Sequence, residues 1–497
     1  MNKQRIEYGD WQTNYELAKK VCDLLKKKGV NPYYLIEPTC GEGSFICAAL
    51  DTFDTISNIY AIEIYKPYID IVTEKLSKYP NISINIFHED VFLFDFSSII
   101  INKEVLIIGN PPWITNSHLG ELASENLPVK TNFKKNRGLE AITGKGNFDI
   151  AEYILLTLLK TFSHTNGHIA MLVKNAVIKN IIQDQGNNKF PIGNISQYEF
   201  NAMKEFGAAT SASLFYAKLK SSSEDFCDIY DLYTEEKKKR IGVIENKIIS
   251  NIDIYHKYQY IDGKSPLIWR SGLKHDCSKI MELKTSNSIY INDLNENINI
   301  ESDFIYPLIK SSDIKGEVIS TVRKHVIVTQ KSTNDDTSLI KLKAPKTYEY
   351  LQRHSDKLDG RKSSIYKNRP RFCIFGIGNY SFMPYKVIIS ALYNSTTFSL
   401  VGKIEDKPVM LDDTCYLLGF EKQSYAIITQ KILNSIEVQG FIKSISFPDA
   451  KRMINKDLLM RIDLYKAAIN AGYKHLDIQE KEFHEYLNFL KPTTLFD

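Results

Sequence analysis

Leu35-Ile36-Glu37-Pro38-Thr39-Cys40-Gly41-Glu42-Gly43-Ser44-Phe45 runs into the small apolar stretch Ile46-Cys47-Ala48-Ala49-Leu50. The order reads as strand, glycine turn and helix. Gly41 and Gly43 allow a tight turn and a close approach of a ligand to the backbone. The pattern is not the dinucleotide one, because the third glycine is replaced and an acid-proline pair stands in front. Three more apolar runs follow. Ile59-Tyr60-Ala61-Ile62 ends at Glu63-Ile64, and Ile82-Ser83-Ile84-Asn85-Ile86 leads through His88-Glu89 to Asp90-Val91. Val105-Leu106-Ile107-Ile108 then ends, after Gly109, at Asn110-Pro111-Pro112-Trp113. Strands that alternate with helical patterns predict an α/β, Rossmann-like doubly wound sheet.

The strand ends carry the chemistry. An acid at the tip of the second strand, Glu63, is placed to accept hydrogen bonds from ribose hydroxyls. Asp90 offers an acceptor to an adenine amino group, with Phe92 beside it. Each of these positions alone also suits an ordinary strand end or core residue. Asn110-Pro111-Pro112-Trp113 is more unusual. Two consecutive prolines remove two backbone donors and stiffen the chain. Asn110 offers an amide oxygen, Pro111 a carbonyl and Trp113 a flat face, a set suited to holding a planar amine.

Together these motifs resemble the S-adenosylmethionine-dependent DNA adenine-N6 methyltransferases of restriction–modification systems, the TaqI-like and Eco57I-like enzymes. The resemblance implies a class I methyltransferase fold. It implies that Glu37, Pro38, Cys40, Gly41 and Gly43 bind the methionine part of the cofactor. Glu63 and Ile64 would bind the ribose side, and Asp90 and Val91 the cofactor adenine. Asn110, Pro111, Pro112 and Trp113 would hold the target amine, with Asn110 also near the cofactor. Tyr8-Gly9-Asp10-Trp11-Gln12-Thr13 resembles the family's leading cofactor motif, so Tyr8, Gln12 and Thr13 join the cofactor set. Asn14 stands where the family usually has proline. Trp113 would stack on a flipped target base, and Phe206 on its other face. About twenty residues separate Asp90 from Asn110, too few for a recognition domain. The motif order therefore resembles the gamma arrangement, with target recognition at the C-terminus.

At 497 residues the chain is too long for one core, and two domains are expected. Lys220-Ser221-Ser222-Ser223-Glu224 reads as the connection, giving a catalytic domain over 1–222 and a mixed α+β recognition domain with C-terminal helices over 223–497. There is no apolar run long enough to span a membrane and no apolar core at the N-terminus. The seven cysteines are scattered without Cys-x-x-Cys pairs. That predicts reduced thiols in a bacterial cytoplasm and no metal site.

The net charge of +4 is unevenly placed. Residues 1–225 carry 23 basic and 25 acidic side chains, a net of −2, and residues 226–497 carry 40 and 34, a net of +6. Between 341 and 371 ten basic residues face three acids, with Tyr348, Tyr350 and Tyr366 among them and Phe372 and Phe375 just after. Beside a domain built to act on a base, this predicts phosphate contact with double-stranded DNA. Arg361, Lys362, Lys367, Arg369 and Arg371 are the candidates there. Lys130, Lys134, Lys135 and Arg137 are the candidates in the long polar stretch after Trp113, which is expected to close over DNA.

Asp149 to Phe162 has the spacing of a core helix and Gly167 to Val173 that of a buried strand. Ser213 to Ala217, after Phe206-Gly207-Ala208, reads as a closing edge. In the C-terminal part, Trp269-Arg270-Ser271-Gly272 is a further candidate contact. Alternatives remain open: an RNA adenine or cytosine-N4 methyltransferase, or a non-catalytic DNA-specificity module. Asn110 favours adenine over cytosine, and the intact acids and glycines favour catalysis. A separate cognate restriction endonuclease is a possible partner.

Overall fold

The computed structural model describes residues 11–114, 149–286, 289–448 and 452–491. The chain divides into two compact units, Met1–Asp253 and Ile254–Asp497.

The first unit is built on strands β1 (Tyr34–Glu37), β2 (Asn58–Glu63), β3 (Ser83–His88), β4 (Val105–Gly109), β5 (Gly167–Lys174), β6 (Ile192–Glu199) and β7 (Ala212–Leu219). β8 (Phe226–Asp231), β9 (Lys237–Ile244) and β10 (Lys247–Ile249) complete a ten-stranded sheet of order β10-β9-β8-β6-β7-β5-β4-β1-β2-β3. β3, β2, β1, β4 and β5 are parallel, and β7 lies antiparallel between β5 and β6. Val105 to Ile108 are fully buried, as a parallel strand covered on both faces requires. Parallel pairing brings the carboxyl ends of β1, β2, β3 and β4 to one edge, where ligands bind in such sheets.

Local chemistry sets the helices. α1 (Tyr15–Lys27) buries Leu17, Val21, Leu24 and Leu25 on one face. Asn14 is its N-cap, accepting from the Leu17 N–H at 2.8 Å, and its amide nitrogen donates to Glu205. This gives the residue that replaces the family's proline a structural role of its own. α2 (Ser44–Leu50) starts from Gly43 at φ 78°, a left-handed conformation that favours glycine. α3 (Lys66–Leu76) packs there so closely that a Cβ on Gly43 would lie 2.5 Å from Val72 Cγ2. α4 (Ile150–Phe162), capped by Asp149, and α5 (Asn175–Asn188) follow, then the short α6 (Ala202–Phe206).

Two expectations are corrected. Ser213–Ala217 is no edge: β7 is an interior strand, paired on both sides. The division of the chain falls after Asp253 and not at 222/223, because β8 pairs in parallel with β6 and carries β9 and β10 into the same sheet. A polar serine-rich connection marks a turn there, and hydrogen bonding continues past it.

The second unit holds a six-stranded sheet that includes Glu282–Ser286, Ile305–Ile309 and Lys324–Ile327. Its five-stranded sheet includes Tyr385–Ser390 and Cys415–Phe420. Helices Lys456–Met460, Leu464–His475 and Glu480–Leu490 close the chain. Among the described residues no helix is long and apolar enough to cross a membrane.

Candidate active site

The turn after β1 is tied to β2 by its acid. The Gly41 N–H donates to Glu63 Oε2 at 2.9 Å and the Tyr65 N–H to Glu63 Oε1 at 2.8 Å. Gln12 lies over the turn: its Oε1 accepts the Glu42 N–H at 3.2 Å, and a Cβ on Gly41 would approach that oxygen to 2.6 Å. The φ of 50° favours glycine at position 41, and a side chain there would also displace the end of Gln12.

The segment before α1 also reaches β4. Asn110 Nδ2 donates to the Trp11 carbonyl at 2.8 Å and to Thr13 Oγ1 at 3.2 Å. Both bonds use the amide nitrogen, so the amide is held while Asn110 Oδ1 stays buried without a partner. Two further buried oxygens at the end of β1 and in its turn have none: Glu37 Oε2 and Thr39 Oγ1. Gly109, just before Asn110, lies against Glu37, since a Cβ there would sit 3.5 Å from Glu37 Cγ. Glu37 is 2% exposed. Burial first, and then the Glu63 charge, push its carboxyl well above the usual range, against a lowering by the Ile46 backbone N–H.

At the ends of β2 and β3, Ile64 is exposed, and Asp90 and Val91 are partly exposed. Asp90 Oδ1 accepts the Phe92 N–H at 2.9 Å, which shapes the bend that follows. Phe92 packs edge-on against Tyr153 of α4 at 5.5 Å.

Trp113 is 5% exposed, and its indole N–H donates to the Leu172 carbonyl of β5 at 3.0 Å. Its ring meets Phe206 edge-on, with centroids 5.0 Å apart and planes at 73°. The two aromatics picked from sequence are therefore neighbours. They are closed on each other: a base between parallel rings needs two stacking contacts, on the order of 7 Å between centroids. Phe206 ends the short α6, half-buried, just before Gly207 at φ 67°.

Sequence reading missed one ion pair near this edge. Lys174, at the end of β5, pairs with Asp149 at 2.8 Å, and the Ile150 N–H donates to the Ile114 carbonyl. The signal was positional: Asp149 caps the start of α4 and Lys174 ends β5. Thr39 stood inside the glycine turn without being singled out. Tyr8, Lys130, Lys134, Lys135 and Arg137 lie outside the described residues.

In the second unit the basic run separates into two kinds of residue. Arg361 donates to the carbonyls of Leu358, His275 and Cys373 and lies 3.7 Å over the Tyr366 ring. Arg371 pairs with Asp359 and also bonds Gln352. Lys362, Lys367 and Arg369 are exposed, Arg369 touching Asn334 at 3.4 Å. Trp269 is fully buried against Phe398, so only Arg270 and Ser271 of that candidate stretch are exposed. Among the described residues no cluster of three or more His, Cys, Asp or Glu is placed to hold a metal ion.

Parallel strands β1 to β5, with antiparallel β7 slotted between β5 and β6 and the motif-bearing loops gathered at the carboxyl edge, form the scaffold of a class I methyltransferase. The chain belongs to the type II methyltransferases: it is 42% identical over 468 residues to type II methyltransferase M.NspV of Nostoc sp., covering 93% of this chain and 98% of that protein. Among solved structures it aligns with the type IIL restriction–modification enzyme MmeI in complex with DNA, at 12% identity and a TM-score of 0.47, over 97% of this chain and 74% of that one. It also aligns with a type I restriction–modification methyltransferase subunit from Streptococcus thermophilus, at 15% identity and a TM-score of 0.33, over 50% of this chain and 53% of that one. No family model matches the chain.

Proposed function

We propose that this methyltransferase uses S-adenosylmethionine to methylate the exocyclic N6 of an adenine extruded from double-stranded DNA, as the modification enzyme of a restriction–modification system. The observation that carries the reading is Asn110, with its amide nitrogen bonded twice and its oxygen buried and unpartnered. An adenine amine has two N–H donors. Asn110 Oδ1 and the Pro111 carbonyl, which has no N–H in its own residue, supply two fixed acceptors. Accepting both hydrogens favours a pyramidal nitrogen whose lone pair is freed from the ring.

The residues present fit the cofactor. Glu37 Oε2 and Thr39 Oγ1 are buried acceptors without partners, as a site for a group bearing N–H donors requires. Gly41 and Gly43 set the left-handed bends of the turn, with Gln12 packed on the one and Val72 on the other. Glu37, Thr39, Gln12 and Thr13 would hold the methionine end, and Glu63, Ile64, Asp90 and Val91 the nucleoside end. The cofactor, when bound, supplies a methyl group on a sulfonium. The protein's own part is positioning and fixed acceptors, and no strong base is needed in the amine clamp. Trp113 and Phe206 would part to stack on the base, offsetting part of an unstacking cost of roughly a few kcal/mol. Lys362, Lys367 and Arg369 would contact phosphates.

Incubation of the protein with unmethylated DNA and, in parallel, RNA, with tritiated S-adenosylmethionine and nucleoside mass spectrometry, tests the reading. N6-methyladenine is expected; N4-methylcytosine, or label in RNA alone, would overturn it. Asn110→Ala is expected to lower methyl transfer by ~10²–10³-fold while cofactor affinity is retained, the scale of removing one fixed polar partner of a reacting group.

A further inference from the structure

We infer that Glu37 is carried as the neutral acid in the cofactor-free protein and becomes the carboxylate that receives the cofactor's ammonium group, so that cofactor binding expels one proton to solvent. The inference rests on the reading of this edge as the S-adenosylmethionine site.

The argument begins with burial. Glu37 ends β1 under the turn, 2% exposed, and its Oε2 has no hydrogen-bond partner. An isolated carboxylate in such a place is costly, and the group holds its proton instead. The Ile46 backbone N–H offsets that cost only in part, and the titratable groups facing Glu37 add to it. Glu63 comes from β2 and carries the same charge. Cys40 in the turn, Cys47 on α2 and Cys22 on α1 are thiols whose own ionisation Glu37 opposes. Glu63 itself is satisfied differently, since both of its oxygens accept backbone N–H groups. Two neighbouring acids are thus engaged differently: both Glu63 oxygens brace the turn, and Glu37 Oε2 waits for a donor.

An ammonium group answers what Glu37 lacks. It brings a positive charge and three donors, and Glu37 Oε2 and Thr39 Oγ1 are two orphan acceptors two residues apart. On binding, the Glu37 O–H bond breaks and its proton passes to solvent. The ammonium keeps its three N–H bonds and donates to the new carboxylate. No redox partner is involved. The sign follows from linkage: the free form holds one proton more than the complex, so affinity rises with pH until Glu37 ionises unaided.

Isothermal titration of the full chain with S-adenosylmethionine, in two buffers of equal pH and different ionisation enthalpy, counts the protons. At ~pH 6 the ligand's amino group is still protonated. Release is expected to approach one proton per site there, with affinity tightening toward tenfold per pH unit above it. 5′-Methylthioadenosine, which lacks the amino-acid end, is expected to bind and release none. Glu37→Gln keeps the shape without the proton; it is expected to release none and to bind S-adenosylmethionine about 10–100-fold more weakly, independent of pH over that range. Binding by the wild type without proton release, or equal release by Glu37→Gln, overturns the inference and leaves the functional reading standing. Failure of S-adenosylmethionine to bind at any pH overturns both.

Discussion

Gly43 is the residue where conformation and packing coincide. Its φ of 78° is left-handed, and a Cβ there would press on Val72 at 2.5 Å. Gly43→Ala is expected to cost about 2–4 kcal/mol in urea unfolding, combining left-handed strain with overpacking. The double variant Gly43→Ala/Val72→Ala should lose the packing part of that penalty and keep the strain. Unchanged stability in the single variant would contradict the geometry. At this scale sequence and structure agree on the turn and on Asn110, since short-range spacing dictates a glycine turn and a strand end. They part at the arginines. Arg361 and Arg371 look like phosphate ligands in a basic run, but three backbone carbonyls hold Arg361 and Asp359 holds Arg371. One of those partners, the His275 carbonyl, lies 86 positions away in the chain, beyond any local pattern.

At the scale of elements, α1 depends on its cap. Asn14→Ala is expected to destabilise the first unit by about 0.5–2 kcal/mol, read by thermal unfolding, because the first turn loses an acceptor for the Leu17 N–H. It also removes one of the bonds to Glu205, which keeps the Tyr233 hydroxyl and sits one residue before Phe206. In the second unit, strand Tyr385–Ser390 buries a lysine. Lys386 is 1% exposed, its Nζ donates to the Met383 carbonyl at 2.6 Å, and burial lowers its pKa to about 7. The unfolded chain holds that proton up to ~pH 10.4, so between the two values the unfolded state binds more protons and stability rises with pH. Below pH 7 the folded state must carry the charge inside. Lys386→Met is expected to flatten this rise and to gain on the order of 1–4 kcal/mol at pH 7, checked by urea melts from pH 6 to 10. A melt series with the same pH slope in both proteins would refute it. Nothing in the alternation of Tyr385-Lys386-Val387-Ile388 marks the lysine as inward-facing; the neighbouring strand Cys415–Phe420 decides that by pairing.

Over the whole chain the charge is divided, with a net of +6 on residues 226–497. Of the 361–371 run, Lys362, Lys367, Arg369 and Arg371 are exposed, and Arg371 is paired with Asp359, which leaves the first three as the phosphate candidates. Replacing these three by alanine is expected to lower the salt slope of DNA binding by roughly 2–3, at about 0.9 per lost phosphate contact, with little change in unfolding. Arg361→Ala should do the reverse, lowering stability with the salt slope unchanged. Filter binding across a salt series separates the two.

By itself the sequence determined the first half of this protein. The periodicity of Leu35 to Trp113 specifies parallel strands, and the glycines, acids and Asn-Pro-Pro-Trp fall at their carboxyl ends, because strand and turn preferences act over a few residues. Tertiary structure decided what those residues are free to do. It tied Asn110 to Trp11 and Thr13, left Glu37, Thr39 and the Asn110 oxygen without partners, closed Trp113 on Phe206 and drew β8 to β10 into the first sheet. Hydrogen-bond partners and burial are set by chain segments far apart in sequence, and no local pattern encodes which of them meet.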